Sequence, residues 1–243
     1  MDDLDQLFHE EPPPHSAMAG DDLKTPYDSV SFQSHFYLSV AIEHLQAIQT
    51  FYRATERTLP PFSFYSLARA SIESAAYGIW ILSGNKRQKR VRRSLKITYD
   101  NSSDVATLAC RLGVPYDLEN VRKRLTEIQA MIPGNRQYRL SSRSTTITSM
   151  LSETDKIVDN SVMSGADAWR ICSGITHANK SIASKVLETS KISGTETETS
   201  SSYLVTTSVT MIAAVVSAAI EYTDHLSELI VERSTPNSSE ARS

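Results

Sequence analysis

The sequence predicts an all-α fold, a helical bundle, and three observations predict it. Apolar residues recur at steps of three and four through most of the chain. Prolines and glycines punctuate those runs at about one helix length, at Pro60-Pro61, Ser83-Gly84, Gly113 with Pro115, and Pro133-Gly134. No stretch alternates apolar and polar residues between turn signals, so strands are minor at best. There is no internal repeat of fixed period.

Residues 1–27 combine acidic residues with the Pro12-Pro13-Pro14 run and few apolar anchors, and are expected to be disordered. A single helical-bundle domain is expected over 28–232. The spacing of Leu38, Ala41, Leu45, Ile48 and Tyr52 predicts a helix from about Val30 to Thr58. A second helix follows the prolines, with a stripe of Tyr65, Ala68, Ile72, Ala75, Ile79 and Leu82, closed by Ser83-Gly84-Asn85. A third is predicted from about Lys86 to Leu112, and a shorter one over 117–131 on Leu118, Val121, Leu125 and Ile128. Residues 135–150, rich in Ser, Thr and Arg, predict an exposed loop. Helix resumes near Ser152 and again over about 166–187. A polar connector from Ile192 to Ser202 leads into a long apolar C-terminal helix from about Tyr203 to Val231, and 233–243 is expected to be a disordered tail.

At 243 residues with 40% hydrophobic and 22% charged residues, the chain can bury one sizeable core. The net charge of −3 argues against a surface built throughout for nucleic acid and leaves room for a local basic patch. Cys110 and Cys172 stand far apart in apolar helical contexts, which predicts buried free thiols rather than a disulfide or zinc framework. The acidic start shows no signal-peptide pattern, so a cytoplasmic location is expected. Tyr203–Ile220 carries no charge. Its five Ser and Thr residues, and the acidic residues that follow without a basic anchor, favour a buried central helix over a membrane span.

Chemistry points first to Arg170 and His177 in Asp-Ala-Trp-Arg-Ile-Cys-Ser-Gly-Ile-Thr-His. Seven residues turn a helix through about 700°, so both side chains leave one face, roughly 10 Å apart along the axis. A permanently charged guanidinium to hold phosphate oxygens and an imidazole to move protons form a phosphodiester-handling pair. In the second helix Arg69 and Glu73 stand one turn apart among small residues, where they are expected to be at least partly buried. They form either a self-contained ion pair or a support in which Glu73 also reaches Arg170 or His177. The run from Lys86 to Arg93 puts Lys86, Lys89, Arg90 and Arg93 on one helical face, as an anion-binding patch or as a solvated face. His35 and His44 fall on opposite faces of their helix, and His225 is expected at an exposed helix end. Phosphate-cradling glycine loops, His-Glu-x-x-His, Gly-x-Ser-x-Gly and paired-cysteine motifs are absent from the sequence, so neither metal nor cofactor is expected.

Three segments carry a family resemblance: Tyr65-Ser-Leu-Ala-Arg-Ala-Ser-Ile-Glu-Ser-Ala-Ala-Tyr-Gly-Ile-Trp-Ile-Leu, Arg90-Val-Arg-Arg-Ser-Leu, and Trp169-Arg-Ile-Cys-Ser-Gly-Ile-Thr-His-Ala. Over roughly residues 30–230 the chain resembles helical proteins common in actinobacteria and their phages, which look like relatives of the HEPN superfamily. The hallmark of that superfamily, an Arg and a His separated by four to six residues on a late helix, falls on Arg170 and His177. The resemblance implies metal-independent endoribonuclease activity of a toxin or phage-defence type. In it Arg170 orients the phosphate and His177 transfers protons as a ribose 2′-hydroxyl attacks the adjacent phosphorus. It also implies RNA as partner, a homodimer with a composite cleft, an antitoxin or other protein partner, and no membrane. Many active members carry a polar residue directly after the Arg, where this chain has Ile171; Glu73 or Ser173 would have to substitute. The alternative is a non-catalytic HEPN-like module that binds RNA, a nucleotide or a protein.

Overall fold

The structure, a computed structural model, describes residues 11–56, 59–133, 139–142, 145–197 and 199–236. It is mostly helical, with one two-stranded sheet among the described residues. The elements are α1 (Ala17–Asp22), α2 (Val30–Ala54), α3 (Ser63–Leu82), α4 (Arg87–Leu112), α5 (Leu118–Ala130), α6 (Ile147–Thr154), α7 (Gly165–Thr176), α8 (Lys180–Val186), β1 (Leu187–Lys191), β2 (Tyr203–Thr207) and α9 (Val209–Ser234). They form two compact units. The first takes Met1–Tyr37, Tyr77–Met150 and Ser227–Ser243, and the second takes Leu38–Ala76 and Leu151–Leu226. Helices α2, α3, α6 and α9 each contribute residues to both.

In the first unit, α4 and α5 are joined by the short turn 113–117. Gly113 ends α4 in the left-handed region (φ 67°), a conformation open to glycine at no steric cost, while Val114 N–H bonds the Ala109 carbonyl. Asp117 then caps α5 by accepting from Asn120 N at 3.0 Å. Val91 and Leu95 of α4 meet Leu125 and Ile128 of α5, with Ile132 and Leu140 closing the cluster. Beside it the buried Lys96 ammonium uses its three donors on Asp100 Oδ1 and the carbonyls of Leu140 and Ser142 (2.7, 2.9 and 2.9 Å). It thereby ties the end of the Pro133–Ser142 stretch to α4.

The basic run opening α4 has an inner and an outer side. Arg90 and Arg93 are buried. Arg90 grips Asp21 in a two-pronged pair (Nε–Oδ2 2.5 Å, Nη2–Oδ1 2.9 Å) and donates to the Gly84 carbonyl. Arg93 donates to the Trp80 carbonyl and Ser83 Oγ, and its guanidinium lies 4.6 Å from the Trp80 ring centroid. The anion-binding expectation for Lys86, Lys89, Arg90 and Arg93 is corrected accordingly. Lys86 and Lys89 are exposed, whereas Arg90 and Arg93 spend their donors inside the fold. A buried guanidinium needs a carboxylate or carbonyl, and Asp21 with the end of α3 provides them.

Asp21 also corrects the expectation of disorder over 1–27, as far as the described residues reach. Ser16 caps α1 by accepting from Ala19 N, and Met18 and Asp21 are wholly buried. One apolar anchor and one carboxylate inside an ion pair order a segment whose composition alone reads as solvated. Residues 1–10 lie outside the described residues. At the other end α9 continues to Ser234 and Pro236 bridges to Ser16, while 237–243 again lie outside.

The second unit holds the wholly buried Tyr65, Ala68, Ile72 and Ala75 of α3 and Ala218, Ala219 and Tyr222 of α9. Ser71 on α3 donates to the Ala41 carbonyl of α2 and lies 3.4 Å from Thr223 Oγ1 of α9, which fixes the level of the three helices. The long apolar C-terminal helix is corrected here. Tyr203–Thr207, with Val205, Thr206 and Thr207 β-branched in series, forms strand β2 antiparallel to β1 in the register Leu187↔Thr207 to Lys191↔Tyr203. Helix begins only at Val209 and runs through Glu221, Asp224, Glu228 and Glu232. Among the described residues no helix is long and apolar enough to cross a membrane. His225 sits half-buried within α9 rather than at an exposed end.

Candidate functional site

Helix α7 carries Arg170 and is capped by His177, and its first turn is fixed in three ways. Ser164 caps it through Asp167 N (3.1 Å). The Asp155 carboxylate accepts from Gly165 N and Ala166 N (2.8 and 3.1 Å), where the helix dipole favours negative charge. Tyr222 donates to Asp155 Oδ1 at 2.6 Å and lies 3.0 Å from Thr154 Oγ1. Burial and the adjacent carboxylate push the Tyr222 hydroxyl well above the usual phenol range, so it stays a donor. Glycine at 165 is required, since a Cβ there would stand 2.3 Å from the Tyr222 ring carbons. Gly165→Ala is therefore expected to destabilise the fold by about 3 kcal/mol in a urea melt, at the upper end of overpacking costs. Combining it with Tyr222→Phe should not relieve the loss, because ring carbons are what the methyl meets.

At its other end α7 stops at Thr176. His177 is the C-cap (φ −91°, ψ 17°), and Ala178 takes the left-handed region at φ 52°. Ala178 N bonds the Ile175 carbonyl and Asn179 N the Gly174 carbonyl, a Schellman closure. Asn179 then caps α8 through Ser181 N and Ile182 N. The single helix expected over 166–187 is thus two helices and the start of a strand. Gly174 leaves room for Ile182, whose Cδ1 would lie 2.3 Å from a Cβ at that position.

Ala168, Cys172 and Ile175 face inward from α7, while Asp167, Arg170 and His177 are exposed. Arg170 makes an ion pair with Asp167 one turn back at 3.5 Å, with both side chains more than 60% exposed. Such a pair contributes little and leaves the guanidinium free to turn toward a phosphate. Among the described residues the His177 imidazole makes no hydrogen bond or ion pair.

Arg69 and Glu73 are partly buried, but their partner is Trp169. Glu73 Oε2 accepts from Trp169 Nε1 at 3.0 Å, Arg69 Nη2 stands 3.5 Å from the same oxygen, and the Arg69 guanidinium lies 5.3 Å from the Trp169 ring centroid. The carboxylate joins α3 to α7 through the indole, and no contact to Arg170 or His177 accompanies it among the described residues. Ser173 is half-buried; its carbonyl accepts from His177 N and so holds the last turn. Sequence reasoning missed Trp169, Asp155 and Asp167. Trp169 precedes Arg170 directly, and Asp167 at the i,i+3 position was legible; Asp155 is placed by tertiary structure alone.

The two thiols differ. Cys110 is exposed, which corrects the expectation that both are buried. Cys172 is buried and its thiol is pushed up to about 12 by burial, with Arg69 pulling weakly the other way. A disulfide reagent at pH 8 is expected to titrate one thiol in the native protein and the second only in denaturant. Two thiols reacting natively would contradict the packing of α7. Among the described residues no cluster of His, Cys, Asp or Glu is placed to hold a metal ion.

No family model matches this chain, and no curated protein or solved structure matches it significantly.

Proposed function

We propose that this is a HEPN-like helical protein acting as a metal-independent endoribonuclease of a toxin or phage-defence type, with Arg170 and His177 as its catalytic residues. One observation carries the reading. Arg170 within α7 and His177, the residue that caps it, are both exposed, seven residues apart at a helix pinned at both ends, and neither is committed to a buried partner. Arg170 leaves Asp167 to hold two phosphate oxygens. His177 takes the proton of the 2′-hydroxyl; the 2′-oxygen bonds to phosphorus as the P–O5′ bond breaks, and the 5′-oxygen leaves with a proton from solvent. The products are a 2′,3′-cyclic phosphate and a 5′-hydroxyl. The family resemblance adds a homodimeric setting and a protein partner that restrains the activity.

A second reading, a non-catalytic RNA-, nucleotide- or protein-binding module, is favoured by a different observation. The imidazole lacks the carboxylate or carbonyl that normally fixes its tautomer, and the residue after Arg170 is the half-buried Ile171. Cleavage of a mixed RNA by the wild type, Arg170→Ala and His177→Ala separates the two. The nuclease reading expects loss in both variants. Binding that needs Arg170 without any cleavage supports the module.

A further inference from the structure

Between α2 and α9, within the second unit, runs a groove of about 610 Å³, a volume typical of small-molecule sites. Its floor is the buried Ile48, Phe64 and Ile212, and its open side lies along the exposed Ala213 and Ile220. Alanine at 213 keeps the middle of the trough clear, where a larger side chain would fill it. Among the described residues one charged side chain lines the groove, Asp224, which is exposed and has no hydrogen-bond or ion-pair partner there. We propose that this groove binds a free single-chain amphiphile with an ammonium head, its chain lying along the trough and its head on Asp224.

Charge and length select that ligand. Ser71 donates to the Ala41 carbonyl and lies 3.4 Å from Thr223 Oγ1, which sets residues 41 and 223 at one level. From that level the groove runs to Tyr52 on α2 and to Val209 on α9, so the two helices are antiparallel and Asp224 closes one end beside Ile42. From 209 to 224 the helix rises about 22 Å at 1.5 Å per residue, a length that an extended alkyl chain matches. The exposed Glu43, next to Ile42 on α2, adds negative charge at the Asp224 end. Beyond the far end Arg53 and Glu56 are of opposite sign. The field along the groove therefore favours a cation at the Asp224 end and an uncharged chain elsewhere. A partner helix fits less well: α2 offers the uncharged Gln46 and Gln49 along its side, whereas a protein interface fixes its register with complementary charges. The inference goes beyond the ribonuclease reading and does not rest on it.

Calorimetric titration of the full chain with dodecylammonium below its micelle concentration is the test, with circular dichroism followed to show that the helices persist. Saturable binding of one amphiphile per chain is expected, with dodecyl sulfate bound roughly tenfold more weakly or worse. Asp224→Asn should weaken dodecylammonium binding roughly tenfold and remove the preference between the two heads. Ala213→Phe, at an exposed position, should abolish saturable binding and leave the melting temperature unchanged. Equal binding of both heads by the wild type, or ammonium binding unchanged in Asp224→Asn, overturns the role of Asp224. No saturable binding, binding unchanged in Ala213→Phe, or binding to phosphatidylcholine vesicles without binding of the free amphiphile overturns the site. A chain mass that doubles with concentration, and no longer does so in Ala213→Phe, overturns the proposal and gives the groove to a second copy. RNA cleavage plays no part in these readings, so their failure leaves the nuclease reading to its own test.

Discussion

Arg90→Met is expected to cost the fold about 3–5 kcal/mol, the usual range for removing one partner of a buried ion pair. Asp21 is wholly buried and Arg90 nearly so, and the two-pronged contact between them is the polar anchor of α1. Methionine fills much of the volume but, among the described residues, leaves the carboxylate with the half-exposed Arg87 at 3.5 Å as its one cation. The loss should appear as a lower urea midpoint and as protease access near residues 16–28. Pairing Arg90→Met with Asp21→Leu should recover most of the stability, because the penalty comes from the orphaned charge more than from the lost attraction. A single variant as stable as wild type would mean that α1 is not held in this way.

The other large effect is expected at His177. If the imidazole moves the proton, His177→Ala should lower RNA cleavage by roughly 10²–10⁴-fold, the usual contribution of one positioned acid or base. The melting temperature should hardly move, since the side chain is exposed and the backbone bonds of the Schellman turn stay intact. Arg170→Lys is expected to lose most of the activity as well: an ammonium keeps the charge but cannot present two parallel donors to a phosphate. A fall in activity accompanied by an equal fall in stability would mark His177 as structural instead.

Much of this architecture is legible in sequence, unevenly and for physical reasons. Periodicity finds α2 to α5, because their stripes continue for several turns between proline and glycine stops. It fails at Tyr203–Thr207, where an uncharged run fits helix and strand alike and the β-branched trio with its hairpin partner decides. It fails again at Arg90 and Arg93: local sequence shows six basic residues in eight, whereas the buried partner of Arg90 is Asp21, some seventy positions away, and Arg93 turns back onto Trp80 and Ser83. The same limit holds at the candidate site. One turn of separation finds the Arg69–Glu73 pair, whereas the common helical face expected of Arg170 and His177 meets a helix that ends at Thr176, with His177 as its C-cap. That Glu73 serves Trp169, and that Asp155 and Tyr222 brace the first turn of α7, follows only from packing between segments distant in the chain.

On the proposed reading Arg170 and His177 drive 2′-hydroxyl attack without a metal. Its most direct test is cleavage, in excess chelator, of an RNA oligonucleotide and of the same oligonucleotide with every 2′-hydroxyl removed. The wild type should cut the first to fragments ending in a 2′,3′-cyclic phosphate and leave the second intact, and His177→Ala should cut neither at a comparable rate. Cleavage of the 2′-deoxy strand, cleavage that survives His177→Ala, or no cleavage of RNA by the wild type would contradict the claim.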